Sequence, residues 1–171
     1  LIDPKLFGKL QVHALDAAAL GGLEGLGIET PKGLAKLKKR LENFTEVEEM
    51  ETPLEIKATL RDYQKSGFQW MQFLARHGLH GILADDMGLG KTIQAIALML
   101  LRAEAGPAII IAPTSVCSNW VREIARFAPA LRTFVLGPGD RGAMINDLAP
   151  GDVLVTSYGL LAGEIDKLSE R

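Results

Sequence analysis

The segment Asp85-Asp-Met-Gly-Leu-Gly-Lys-Thr92 carries the residues of this sequence best suited to chemistry. It lies between a short apolar run and an apolar helical pattern, the context in which a glycine-rich loop binds phosphate. Gly88 and Gly90 allow the backbone to curl so that successive N–H groups point inward, and the positive N-terminus of the following helix attracts anions. The spacing therefore predicts a phosphate-binding loop.

Two side chains at the end of this loop are the candidates for catalysis. We expect Lys91 to contact the β- and γ-phosphates of a nucleoside triphosphate and the Thr92 hydroxyl to bind the Mg²⁺ that bridges them. The usual pattern G-x-x-x-x-G-K-S/T begins with glycine, whereas this loop begins with Asp85. A ligand-free glycine turn is the alternative. A dinucleotide loop is disfavoured because Ile93 stands where its third glycine is needed.

The elements that must position this loop follow an alternating pattern along residues 56–171. Short apolar runs, of the type buried on both faces of a sheet, occupy residues 81–84, 108–112, 133–136 and 153–156. Helical patterns occupy residues 60–74, ended by a turn at Gly78, and residues 91–104, 118–127, 140–148 and 163–170. This βαβα order predicts an α/β fold, a parallel sheet with helices on both faces.

Residues 1–55 are predicted to form a short helical N-terminal segment and a linker. Thr30 and Pro31 suit an N-cap and a first helical residue, and apolar residues follow at helical spacing at positions 34, 37, 41 and 44. An acidic run at 46–51 and Pro53 indicate a linker. We place a domain boundary near residue 55, which leaves residues 56–171 as the loop-bearing lobe.

Composition and charge restrict the partners. The 19 basic and 21 acidic side chains give a net charge of −2, so any contact with nucleic acid must be local. The single Cys117 excludes an intramolecular disulfide, which fits an intracellular protein. The longest apolar stretch, residues 93–101, is interrupted by Gln94 and is far below the roughly 18 residues that a membrane span needs. We expect no membrane role.

Four segments closely resemble the motifs of Swi/Snf-family ATPases of helicase superfamily 2. They are Leu60-Arg-Asp-Tyr-Gln64, Leu83-Ala-Asp-Asp-Met-Gly-Leu-Gly-Lys-Thr92, Ala112-Pro-Thr-Ser115 with Asn119-Trp120, and Thr156-Ser-Tyr158. In that family Asp commonly opens the phosphate loop, as Asp85 does here. The resemblance covers residues 60–171 and implies an incomplete RecA-like lobe of the P-loop NTPase class.

The resemblance also implies a site for ATP and Mg²⁺. Gln64 would hydrogen-bond the adenine edge, and Arg61 and Tyr63 would help to place the base. The phosphates would be held by Asp85, Asp86, Met87, Gly88, Leu89, Gly90, Lys91 and Thr92. Taken without the family pattern, Gln64 is an ordinary polar helix residue.

A second implied site faces double-stranded DNA. In the family the segments matching Thr114 and Ser115, and Thr156, Ser157 and Tyr158, lie at strand ends that face the duplex. Small hydroxyl side chains and free N–H groups can bond phosphate oxygens there without reading base sequence. Local turn and cap hydrogen bonds are the alternative role for these residues.

The function implied is that of an ATP-dependent DNA translocase, with a DNA-bound protein as a further partner. The 171 residues lack the family's Asp-Glu box and second motor lobe, so we expect this chain alone to bind ATP without turnover and to self-associate through uncovered sheet. A bacterial member would act in the nucleoid and a eukaryotic one in the nucleus; we favour a bacterial origin. Another superfamily 2 helicase, a restriction-type motor and a non-catalytic nucleotide-binding module remain alternatives.

Overall fold

A computed structural model describes residues 51–169, so the helix predicted after Thr30 lies outside the described residues. The boundary predicted near residue 55 stays a prediction. Of the described residues, 51–72 and 81–169 belong to one compact unit, and residues 73–80 belong to another. The helices are α1 Asp62–His77, α2 Lys91–Leu101, α3 Thr114–Phe127, α4 Arg141–Asn146 and α5 Tyr158–Ser169, with a 3₁₀ turn at Ala103–Ala105. The strands are β1 Ala108–Ala112, β2 Arg132–Val135 and β3 Asp152–Ser157.

The three strands form a parallel sheet in the order β1-β3-β2. In the register of β1 with β3, Ala112 is opposite Ser157, so these two strands end at the same level. On the other side of β3, Val135 is opposite Val155. The predicted parallel α/β sheet is confirmed. Because parallel strands share a direction, the loops that follow their carboxyl ends gather at one edge.

Helices cover both faces of the sheet, as predicted. Successive strand side chains point to opposite faces, so Val153 and Val155 share one face and Leu154 lies on the other. The first face packs into a buried cluster with residues of α1, α2 and α3, among them Phe68, Ile96 and Ile124. The second face packs against α4 and α5 through Leu136, Ile145, Leu148, Leu160 and Leu168.

Two predictions about the strands are wrong. Residues 81–84 do not form a strand, because no described strand pairs with them and Ile82 is 82% exposed. Burial on both faces holds only for β3, all six residues of which are buried. In β1, Ile109 and Ile111 are 43% and 36% exposed because β1 is at the edge of the described sheet.

The helices predicted within residues 56–171 all exist, although several ends differ. The third helix begins at Thr114 and the fifth at Tyr158, four and five residues earlier than the apolar pattern indicated, because the chain enters each helix almost directly after its strand. The second ends at Leu101, where a 3₁₀ turn takes over. None of the helices within residues 51–169 is long and apolar enough to cross a membrane.

The end of α1 confirms the turn predicted at Gly78. Gly78 has a φ of 64°, the left-handed conformation that glycine adopts without strain. The Leu79 N–H donates to the Leu74 carbonyl at 2.8 Å, and the Gly78 N–H donates to the Ala75 carbonyl at 3.3 Å. This pair of bonds is a Schellman motif, which satisfies the last carbonyl groups of the helix.

Candidate nucleotide-binding site

The predicted phosphate loop connects residues 81–84 to the N-terminus of α2. Gly88 and Gly90 have φ angles of 85° and 80°, which only glycine adopts readily, and Gly90 is the N-cap of α2. A Cβ added to Gly88 would meet no atom within 4 Å, so the space beside that residue is open. The loop leads directly into α2, whose first N–H groups have no acceptor within the helix and are the donors that anion binding requires.

The ammonium group of Lys91 lies inside the loop. Its Nζ donates to the carbonyl oxygens of Asp85 and, at 3.0 Å, of Asp86. Thr92 follows in the first turn of α2, and both side chains are partly buried. Met87, at the tip of the loop, is 97% exposed. The residues present therefore fit a triphosphate, because a cation and the helix N-terminus converge on one glycine-lined curl.

The start of α1 brings Gln64 to the same loop. Gln64 is 8% exposed, and its Nε2 donates to the Leu89 carbonyl at 3.0 Å, while its Oε1 accepts from the Arg61 N–H at 3.0 Å. The Tyr63 hydroxyl donates to the same carbonyl at 3.2 Å. A Cβ added to Gly90 would lie 2.5 Å from Gln64 Nε2, which shows how closely α1 approaches the loop. The predicted adenine and phosphate residues are thus brought together.

Gln94 belongs to this site and was not predicted. It is fully buried in α2, and its Nε2 donates to Oδ2 of Asp85 at 2.9 Å. The sequence did carry a signal, because Gln94 is the polar residue that interrupts the apolar stretch 93–101. A buried polar side chain in such a stretch requires a partner. Here the partner is the carboxylate that opens the phosphate loop.

The residues predicted to contact DNA separate into exposed and buried ones. Thr114 and Ser115 are exposed in the first turn of α3, and Tyr158, the first residue of α5, is 63% exposed. Because β1 and β3 end at the same level, these three residues lie at one edge of the sheet. Thr156 and Ser157 are only 1% and 8% exposed. The structure therefore does not bring these two side chains to the surface.

Comparison with protein families gives a match over most of the described chain. The profile of the SNF2-related domain matches residues 63–171, which include the phosphate loop and the edge that carries Tyr158. The chain belongs to the Swi/Snf family. The prediction of the family from the four motifs is therefore confirmed.

Individual Swi/Snf relatives resemble the chain over different lengths. The chain is 40% identical to YwqA of Bacillus subtilis, which is named as an ATP-dependent helicase/translocase. The match covers 99% of this chain and 19% of YwqA. The chain is 35% identical to the TATA-binding protein-associated factor mot1 of Schizosaccharomyces pombe, over 78% of the chain and 8% of mot1. The chain thus spans less than a fifth of either relative.

A solved Swi/Snf structure has the same fold. The Sulfolobus solfataricus SWI2/SNF2 ATPase core in complex with dsDNA matches with a TM-score of 0.60 and 43% identity. The match covers 67% of this chain and 24% of that one. The same core solved as the ATPase core domain matches with a TM-score of 0.59 and 39% identity. The Swi/Snf chain therefore carries part of such an ATPase core.

Within residues 51–169 of the Swi/Snf chain, no group of three or more His, Cys, Asp or Glu side chains could hold a metal ion. The residue predicted to meet Mg²⁺ is Thr92, a single hydroxyl next to the loop lysine. A lone hydroxyl suits a metal that keeps several waters and is held mainly by the oxygens of a nucleotide. The donor set therefore fits Mg²⁺ that arrives with its nucleotide.

Proposed function

We propose that this chain is the ATP-binding part of a Swi/Snf-type DNA translocase. The observation that carries the proposal is the contact of Gln64 with Leu89, which joins the start of α1 to a loop 25 residues away. Gln64 is the candidate for adenine, and the loop presents Lys91 to phosphates. A site that combines a candidate base-binding residue with a phosphate loop favours a nucleotide over a free phosphate ion.

The roles in this site follow from the donors present. The N–H groups of residues 88–92 and the Lys91 ammonium would hold the β- and γ-phosphates, and Thr92 would contribute its hydroxyl to Mg²⁺. The bound Mg²⁺ would supply charge neutralisation to the phosphates. Arg61 and Tyr63, next to Gln64, would place the base. The side chains of Asp86 and Met87 are exposed at the mouth of the loop.

Hydrolysis of ATP requires groups in addition to the phosphate loop. Phosphoryl transfer to water needs a carboxylate for Mg²⁺, a group that orients the water and an arginine for developing charge. The 171 residues contain no Asp-Glu pair, and Asp166 lies on an exposed side of α5. We therefore propose that this chain binds ATP without hydrolysing it, and that the whole protein is the DNA-dependent ATPase.

We propose that the whole protein moves along duplex DNA. Thr114, Ser115 and Tyr158 lie at the edge of the sheet where strand ends and helix N-termini meet, which suits sequence-independent contact with phosphate oxygens. Thr156 and Ser157 would support this edge from beneath. We propose that the motor acts on a protein bound to that DNA. Its place of action would be the nucleoid of a bacterium or the nucleus of a eukaryote.

ATP hydrolysis with and without duplex DNA tests the proposal. It should be measured on this chain and on the full-length protein encoded by its gene, with Lys91→Ala as the control. We expect DNA-stimulated hydrolysis by the full-length protein alone, abolished by the substitution. Strand separation by the full-length protein would favour another superfamily 2 helicase. The absence of stimulation in both proteins would favour a non-catalytic nucleotide-binding module.

A further inference from the structure

Gln94 connects Asp85, the first residue of the phosphate loop, with Gly90, the N-cap of α2. Its Nε2 donates to Oδ2 of Asp85 at 2.9 Å and lies 3.4 Å from the carbonyl oxygen of Gly90. Asp85 opens the loop, and Gly90 is the N-cap of α2, so one amide group spans the base of the curl. Asp85 is also held through its carbonyl, which accepts from Lys91 Nζ.

Stability alone does not explain a glutamine at this position. Gln94 is 0% exposed, and its Oε1 has no hydrogen-bond partner within the described part of the chain. A buried acceptor without a partner destabilises a protein relative to an apolar side chain of similar shape. An apolar residue would also continue the apolar stretch of α2. The amide at this buried position therefore indicates a role for its donor.

Gly67 of α1 leaves the space that the Gln94 side chain occupies. A Cβ added to Gly67 would lie 2.0 Å from Oε1 of Gln94 and 3.2 Å from its Cδ. Such a distance is impossible without movement of the amide, because it is far inside van der Waals contact. The same helix carries Gln64, so α1 contacts the loop through Gln64 and makes room through Gly67 for the side chain that bonds Asp85.

We infer that Gln94 is a positioning residue that holds the Asp85 carboxylate in place and so keeps the loop able to accept phosphate; the inference rests on the proposed function. An unpaired carboxylate beside an anion-binding loop repels phosphate, and this repulsion is strong where water is partly excluded. The Gln94 donor bonds one carboxylate oxygen from the buried side of α2. Its loss would free that charge to turn towards the phosphates.

The test measures ATP and AMP binding to this chain after Gln94→Met, which keeps the shape of the side chain and removes the donor. We expect the Kd for ATP to rise about tenfold, the effect of one hydrogen bond to a charged group, and the Kd for AMP to change less than about twofold. Gln72→Met is the matched control. Gln72 is also buried, its Oε1 has no hydrogen-bond partner within residues 51–169, and no hydrogen bond joins its side chain to the loop in that part of the chain. The Gln72→Met variant should leave both affinities unchanged.

A double-mutant cycle separates positioning from a general effect on folding. Asp85→Ala removes the charge that Gln94 holds, so adding Gln94→Met to it should weaken ATP binding no further. Gly67→Ala should reproduce the loss seen for Gln94→Met, whereas Gly163→Ala, in helical α5 with open space around it, should not.

The outcomes separate this inference from the proposed function. A parent chain that binds ATP, together with a Gln94→Met variant that binds it equally well, would overturn the inference and leave the proposed function standing. Additive effects of Gln94→Met and Asp85→Ala would also overturn it. A parent chain that does not bind ATP would overturn both. Selective loss of ATP affinity, absent from Gln72→Met, supports the inference.

Discussion

The Gln64 amide nitrogen lies 3.0 Å from the Leu89 carbonyl oxygen, so the side chain proposed to recognise adenine is bonded to the phosphate loop itself. The other end of the amide accepts from the Arg61 N–H. Both hydrogen-bonding ends of Gln64 are therefore engaged within the protein. An adenine edge must replace or share these bonds, which links recognition of the base to the position of the loop.

Substitution of Gln64 should therefore reduce selectivity for adenine. We expect Gln64→Ala to lower the preference for ATP over GTP about tenfold, because a site that bonds a polar edge discriminates through the group that would be left unpaired. Competition between the two nucleotides for a fluorescent ATP analogue measures the preference. Lys65→Ala, exposed on the same helix, is the control. An unchanged preference would remove Gln64 from the base site.

Removal of the loop cation should nearly abolish ATP binding. Lys91→Ala deletes the charge that lies among the carbonyl groups of the loop, and we expect the Kd for ATP to rise at least about a hundredfold, because several charge-assisted bonds are lost together. Calorimetric titration gives the affinity. Lys57→Ala removes a charge at an exposed position of the same unit and should bind normally. Equal affinities for Lys91→Ala and the parent would refute the phosphate loop.

Asp152 should be important for stability. Its carboxylate is buried, accepts from Arg132 Nε at 2.7 Å and from the Ala149 N–H at 2.8 Å, and lies at the first residue of β3. Asp152→Ala leaves both donors without their acceptor, and we expect a loss of about 2 kcal/mol in the free energy of unfolding. Urea denaturation measures it. Asp166→Ala, on an exposed side of α5, should change it by less than about 0.5 kcal/mol.

Glu164 should make stability depend on pH in the acidic range. Lys167 Nζ donates to its Oε2 at 2.9 Å, and this bond most strongly holds the pKa of Glu164 below its usual value, with Arg141 adding to the effect and burial opposing it. A lowered pKa stabilises the fold fully above the ordinary value of about 4.3 and loses that stabilisation as pH falls through the lowered value.

The comparison of Glu164→Gln with the parent tests this pH dependence. We expect the parent to lose more unfolding free energy than the variant between neutral pH and the most acidic pH at which both still fold. Urea denaturation at a series of pH values gives both curves. Parallel curves would mean that the ion pairs of Glu164 with Lys167 and Arg141 do not contribute to the acid dependence.

Charge added to the exposed strand-end edge should weaken DNA binding by the full-length protein. Ser115→Asp places a negative side chain in the first turn of α3, where the duplex phosphates are proposed to lie, and we expect about a tenfold rise in Kd. Because phosphate contacts carry no base information, the loss should be equal for duplexes of different sequence. Fluorescence anisotropy measures it. Ser169→Asp, in the last turn of α5, is the control, and an equal loss there would contradict the assignment.

Much of the fold was predictable because its signals are local. The apolar runs at 108–112 and 153–156 fall within the parallel strands β1 and β3, and Gly78 ends α1 as its conformational freedom allows. The run at 81–84 has the same composition but forms no strand, because a strand needs a partner that local sequence does not specify. The early starts of α3 and α5 were missed because the apolar pattern alone does not show that each helix follows its strand almost directly.

The nucleotide site was predictable in part for a similar reason. Glycine spacing indicates the loop directly, because Gly88 and Gly90 must adopt positive φ angles. That Gln64 belongs to the same nucleotide site as the loop was implied only by the family resemblance, since nothing local relates residues so far apart in sequence. Gln94 was visible only as an interruption in an apolar helix, and its partner, Asp85, is set by the tertiary fold.

The central position of β3 bears on how the chain folds as it leaves the ribosome. Both β1 and β2 pair with β3, and in the described sheet β1 and β2 do not pair with each other. Synthesis proceeds from the N-terminus to the C-terminus, so β1 and β2 are made before β3. Their apolar faces therefore stay uncovered until residues 152–157 are made. The sheet therefore closes late and through contacts distant in sequence, which slows folding. Chaperone demand should peak in that interval of translation.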